Sequence, residues 1–322
     1  MMHDTKAKLV AAILLTLLGL GLFTPVVVRL AEFSQMQGSK HYSHFVLIPL
    51  IAGYGIFVRR RDIWEAALEQ GKKQPRVPPS WHVLPGLLGP VLVAFSLVIY
   101  AFEARRGFGI SLNDHLVLMT ASLVVYIMGA FVWVFGSDAF RVARFPLLFL
   151  VFLIPVPEAL LQRIIVGLQV ASTGVVDFLF QLTGTVYLRD GFRFSLPGLQ
   201  IEIAQQCSGI RSGLSLFIVS ILAGHMSLRT TWGKLALALA VLPITVFKNG
   251  VRIVLLSLLA VHWDPAIMRG SLHTTGGVPF FVVATALLGL VLVAIRRLEG
   301  RAHSPSRSND IEEPGARRDR AC

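Results

Sequence analysis

The sequence predicts an all-α polytopic membrane protein with about eight transmembrane helices and a small extracytoplasmic β-hairpin before a cysteine-bearing helix. Three observations predict it. Of the 322 residues, 54% are hydrophobic and only 15% are charged, and the mean hydropathy is +0.68. A soluble domain carries about 25% charged residues, so lipid must cover much of this apolar surface. The apolar residues fall into long runs separated by short polar segments. One such segment, Thr185–Ala204, alternates apolar and polar residues around Arg-Asp-Gly and Pro-Gly turn signals, which is the pattern of a hairpin.

The predicted spans are Leu9–Val28, Phe45–Val58, Val83–Phe102, Leu116–Phe135, Phe145–Phe180, Ser208–Gly224, Leu235–Val261 and Val278–Ile295. Phe45–Val58 is short and extends back toward Tyr42. The run Phe145–Phe180 is interrupted by Pro155 and Pro157, which break a helix. Its second half carries Gln162, Arg163, Gln169, Asp177 and Gln181, so it lies partly along the interface or lines a protein cavity. Counted as one net crossing, it brings both termini to the same side. The basic start with Lys6 and Lys8 fits a retained first span, since no small-residue cleavage site follows it.

The net charge of +12 does not point to nucleic acid, because the cations cluster in short segments between apolar runs. With the N-terminus inside, inner segments hold Arg59, Arg60, Arg61, Lys72, Lys73, Arg76, Arg141, Arg144, Arg229, Lys234 and the arginine-rich C-terminal segment. Outer segments hold far fewer cations. This asymmetry predicts cytoplasmic termini. Residues 1–296 form the integral membrane domain, and 297–322 are expected to be a disordered basic cytoplasmic tail. Cys207 and Cys322 stand far apart, which argues against a disulfide framework. No metal or organic cofactor is indicated.

Polar groups at membrane depth carry the functional signal, because ionisable residues there are costly and face a cavity or a partner. Cys207 stands where the hairpin meets the sixth span. A lone membrane cysteine is ordinarily a small apolar residue. Here, however, Ser208 and Gly209 open a helix and Arg211 follows one turn later. A helix N-terminus and a nearby cation both favour the thiolate. Arg252 lies 18 residues beyond Lys234, a rise of about 27 Å, which carries it to the outer half of the bilayer. His273 precedes the last span on the same side, where His44 and His262 also fall. A thiol, a guanidinium and an imidazole at similar depth are the parts that acyl transfer needs.

From Tyr42 to Phe281 the chain resembles the exosortase/archaeosortase family of membrane transpeptidases. The matching parts are Tyr42-Ser43-His44 with Leu47-Ile48-Pro49-Leu50 and the Arg59-Arg60-Arg61 run, Phe145-Pro146-Leu147-Leu148-Phe149 through Ile154-Pro155-Val156-Pro157, Cys207-Ser208-Gly209-Ile210-Arg211-Ser212, Asn249 with Arg252, and His273 with Gly277 and Phe281. The resemblance implies a catalytic set of Cys207, Arg252 and His273, with Arg211, Asn249, Ser208 and Gly209 binding substrate or supporting the site. It implies an enzyme of the bacterial inner membrane, with its active site near the periplasmic face. The implied substrates are exported proteins with a C-terminal tripartite signal: a Pro-Glu-Pro-type motif (PEP-CTERM), a hydrophobic span and a basic end, associated with exopolysaccharide production. One departure stands out. The residues before the cysteine are often acidic then small in this family, and here they are Gln205 and Gln206, which bears on the subfamily and the recognised motif.

Two other classes account for the spans. A transport subunit of exopolysaccharide export explains the polar groups within the membrane but gives no reason for a surface cysteine. A transport subunit would survive Cys207→Ala, whereas a non-catalytic assembly component would tolerate His273→Ala and Arg252→Lys.

Overall fold

The computed structural model describes residues 2–35, 44–70, 83–106, 111–204, 209–264 and 277–302. Within them, nine helices and one small sheet follow in the order α1 (Met2–Gln35), α2 (Leu47–Val58), α3 (Arg60–Gln70), α4 (Val83–Arg106), α5 (Leu112–Phe149), α6 (Glu158–Leu182), β1 (Leu188–Asp190), β2 (Arg193–Leu196), β3 (Leu199–Glu202), α7 (Ile210–Ser227), α8 (Thr231–His262) and α9 (Gly277–Ala302). Seven helical stretches among these residues are long and apolar enough to cross a membrane, and a shorter apolar one spans His44–Val58. The predicted architecture is therefore the observed one.

The stretch Leu112–Leu153 is 42 residues long, yet it is two limbs rather than one rod. Ser111 caps its start by accepting from the Asp114 N–H at 3.1 Å. At Gly136 the backbone adopts φ 86° and ψ 174°, a region that only glycine occupies readily. The chain then folds back. The Asn113 amide donates to the Val156 carbonyl at 2.8 Å, and the Glu158 N–H donates to the Asp114 carboxylate at 2.8 Å. A straight helix of that length would hold these residues about 60 Å apart. Leu116, Met119, Leu123 and Val124 of the outward limb pack in one core cluster with Phe149, Leu150 and Leu153 of the return.

The run Phe145–Phe180, expected as one interrupted span, is shared between two elements. The return limb ends in a 3-10 turn at Leu150–Leu153. Pro157 then stands at the N-cap of the separate helix α6, because a proline is tolerated at a helix start but not inside it.

The polar segment forms a three-stranded antiparallel meander rather than a simple hairpin. Its two-residue turns place Gly191 and Gly198 at φ 59° and 74°. Phe194, Leu196, Ile201 and Ile203 bury one face of the meander against Val176 and Phe180 of α6 and Val254 of α8. Tyr187 donates to the Asp177 carboxylate at 2.6 Å, and Arg189 pairs with the same group at 3.1 Å. The hydrogen bond to Asp177 raises the Tyr187 phenol above its ordinary value, with burial adding to it.

One end of the bundle collects cations. Arg59, after α2, donates to the Val142 carbonyl at 3.2 Å. The His225 ring, at the end of α7, stacks on Phe145 with centroids 3.5 Å apart. Glu299 of α9 accepts from the Arg229 N–H at 3.0 Å and the Thr230 N–H at 3.1 Å, just before α8. These contacts bring the basic segments after α2, before and within the return limb, between α7 and α8, and at the end of α9 to a common face.

Candidate active site

The site is built where α6, α7 and α8 meet at the opposite end. Gly209 is the N-cap of α7 and sits at φ 81°. A Cβ there would be strained in conformation and would lie 3.4 Å from Asn249 Cγ. One turn on, the Ser212 hydroxyl donates to the Gly209 carbonyl at 3.0 Å and accepts from the Lys248 ammonium. At Gly213 an added Cβ would stand 3.2 Å from Thr245 Cγ2. Positions 213, 212 and 209 of α7 thus face 245, 248 and 249 of α8 in an antiparallel register.

Helix α6 closes the other side. The Asn249 amide donates to the Ser172 hydroxyl at 3.1 Å. At Gly250 an added Cβ would stand only 2.4 Å from Val175 Cγ1, so the two backbones approach as closely as glycine allows. The Gln169 amide donates to the Ile203 carbonyl at 2.5 Å, fixing the chain just after β3. Two described residues are thus anchored: Ile203 is tied to α6, and Gly209 rests against α8.

Of the residues singled out from the sequence, Cys207, Ser208 and His273 lie outside the described residues. Gly209 and Asn249 are brought together, and Asn249 is only 1% exposed. Arg252 follows Asn249 by one helical turn and is half-buried, whereas Arg211 is exposed on the surface of α7. Sequence reasoning did not single out Lys248, which is 7% exposed. The signal for it was present, since a lysine inside an apolar run is as anomalous as Arg252. Ser172 and Gln169 were also missed as site neighbours, because a hydroxyl or amide within α6 becomes informative only once its partners on α8 and β3 are known. Among the described residues no cluster of His, Cys, Asp or Glu could hold a metal ion.

A family model for the transmembrane exosortases matches residues 34–290. The chain belongs to the transmembrane exosortase family. No curated protein and no solved structure matches it. The match takes in every site element of this exosortase, from the helix before the α2 arginines to the first half of α9.

Proposed function

We propose that this exosortase is a cysteine transpeptidase or protease that cleaves C-terminal PEP-CTERM-like sorting signals of exported proteins, in a pathway linked to exopolysaccharide. The Cys207 thiolate attacks the scissile carbonyl carbon, and the Arg252 guanidinium receives the developing oxyanion. The carbon–nitrogen bond breaks as His273 gives its proton to the leaving amine. The thioester that remains is resolved by an amine or by water, which returns the thiol. Asn249, Ser208 and Gly209 bind substrate or support the site, and Arg211 tunes the thiol or meets substrate.

The observation that carries this reading is the pinned junction before α7. Position 207 is two residues from Gly209, so their Cα atoms are at most about 7 Å apart. Gly209 rests on Asn249, one turn from Arg252. Family membership supplies the reaction class. The basic end of the bundle lies opposite this junction, which supports an inner-membrane protein with cytoplasmic termini and a periplasmic site.

The test is an immunoblot of a tagged exported protein with a Pro-Glu-Pro-type tail, co-expressed with the intact chain or with Cys207→Ala at matched membrane levels. A size shift that requires the thiol is expected. Processing that persists in Cys207→Ala would overturn the nucleophile and favour a non-catalytic or transport subunit.

A further inference from the structure

A second polar site lies among α1, α4 and α5. Glu103 of α4 is 1% exposed and His115 of α5 is 8% exposed. The His115 Nδ1 stands 2.8 Å from Glu103 Oε1. The other carboxyl oxygen, Oε2, is buried and has no hydrogen-bond partner among the described residues. Buried polar atoms are almost always satisfied, so an orphan acceptor beside a cavity calls for a donor. Glu103 and His115 form part of the wall of a cavity of about 230 Å³, which Arg29 also lines. The remaining wall is mostly apolar and includes Val26, Leu116 and Met119.

The three polar residues sit at the ends of three apolar runs: Arg29 after Leu9–Val28, Glu103 after Val83–Phe102, and His115 before Leu116–Phe135. That is the depth of lipid headgroups. Glu103 Oε2 lies just behind the cavity wall, so a small turn of its carboxyl group brings an acceptor to an N–H donor; Arg29 adds a cation for an anion, and the other walls are apolar.

We propose that this cavity binds the headgroup of an aminophospholipid. A primary ammonium donates to Glu103 Oε2, the phosphate faces the Arg29 guanidinium, and the acyl chains follow the apolar walls into the bilayer. His115 is a positioning residue that holds the carboxyl group in place. The site shares no lining residue with the junction of α6, α7 and α8, so the inference stands apart from the proposed catalysis.

The test uses native mass spectrometry of the full chain, purified in detergent and offered equal amounts of phosphatidylethanolamine, phosphatidylcholine and phosphatidylglycerol with matched acyl chains. Choline has no N–H to donate, and glycerol carries no cation. Retention of phosphatidylethanolamine should exceed that of both others by roughly tenfold, the scale of one charge-assisted hydrogen bond. In Glu103→Gln that preference should fall to near parity. Equal retention of the three lipids by the wild-type chain would overturn the proposal, and so would a preference that survives in folded Glu103→Gln. Should Glu103→Gln fail to fold, Arg29→Gln on the exposed rim should lower phosphatidylethanolamine retention severalfold, and unchanged retention would count against the site. Soluble phosphoethanolamine should compete at least roughly a hundredfold more weakly than the lipid, because it lacks the acyl chains. Competition at equal concentration would overturn a lipid as the source.

Discussion

Two cations sit one turn apart on α8, and their surroundings give them different work. Lys248 is buried and donates to Ser212, so its charge is committed to holding the start of α7. Arg252 is half-buried one turn beyond Asn249. A guanidinium presents several fixed donors in a plane, whereas an ammonium is a compact point charge. Arg252→Lys is therefore expected to lower processing of the tagged substrate by roughly a hundredfold or more, the scale of losing one oxyanion donor, at unchanged membrane abundance. Full processing by this variant in a quantitative immunoblot would remove Arg252 from the oxyanion role. Arg252 drew notice in the sequence because an arginine deep in an apolar run has few explanations. Glu103 and His115 were not legible. Each stands at the edge of a span, where a polar residue is unremarkable, and only the packing of α4 on α5 shows that they meet.

The crossing of α6 and α8 sets the geometry of the site at the level of elements. Gly250 packs on Val175, and Asn249 bonds to Ser172. Gly250→Ala forces the helices apart and should cost about 1–3 kcal/mol. A lower midpoint of thermal unfolding in detergent is expected, with partial recovery when Val175→Ala is added. A second change that only lowers stability further would show that the crossing does not set the spacing. Most elements were visible in advance, since a long apolar run leaves a backbone in lipid little choice but to become helical. The proline break before α6 was equally plain. The hydrogen bonds that tie the start of α5 to Val156 and to the start of α6 were not, because they join residues more than forty positions apart. The third strand was missed for a related reason. Its alternation was read as one arm of a hairpin, although two turn signals separate three short segments.

At the scale of the whole molecule, charge and polar construction are divided between the two ends. Arg59, His225 and Arg229 gather at one end, and the sheet with the start of α7 occupies the other. Helix α6 runs beside the second half of α8, with Leu168 near Val246 and Phe180 near Val254. Fusion of a fluorescent protein after Ala302 should give fluorescence, and alkaline phosphatase inserted at Gly184 should be active. The reverse pattern would invert the assignment of faces.

The Glu299 carboxylate also bears on how the chain comes to be made. It satisfies the Arg229 and Thr230 N–H groups and accepts from the Thr230 hydroxyl, so the last helix finishes the start of α8. Until α9 has entered the membrane, those backbone donors lack this acceptor. A nascent chain stopped before Glu299 would leave that helix start unfinished at the basic end of the bundle. The contact thus ties the start of α8 to the arrival of α9.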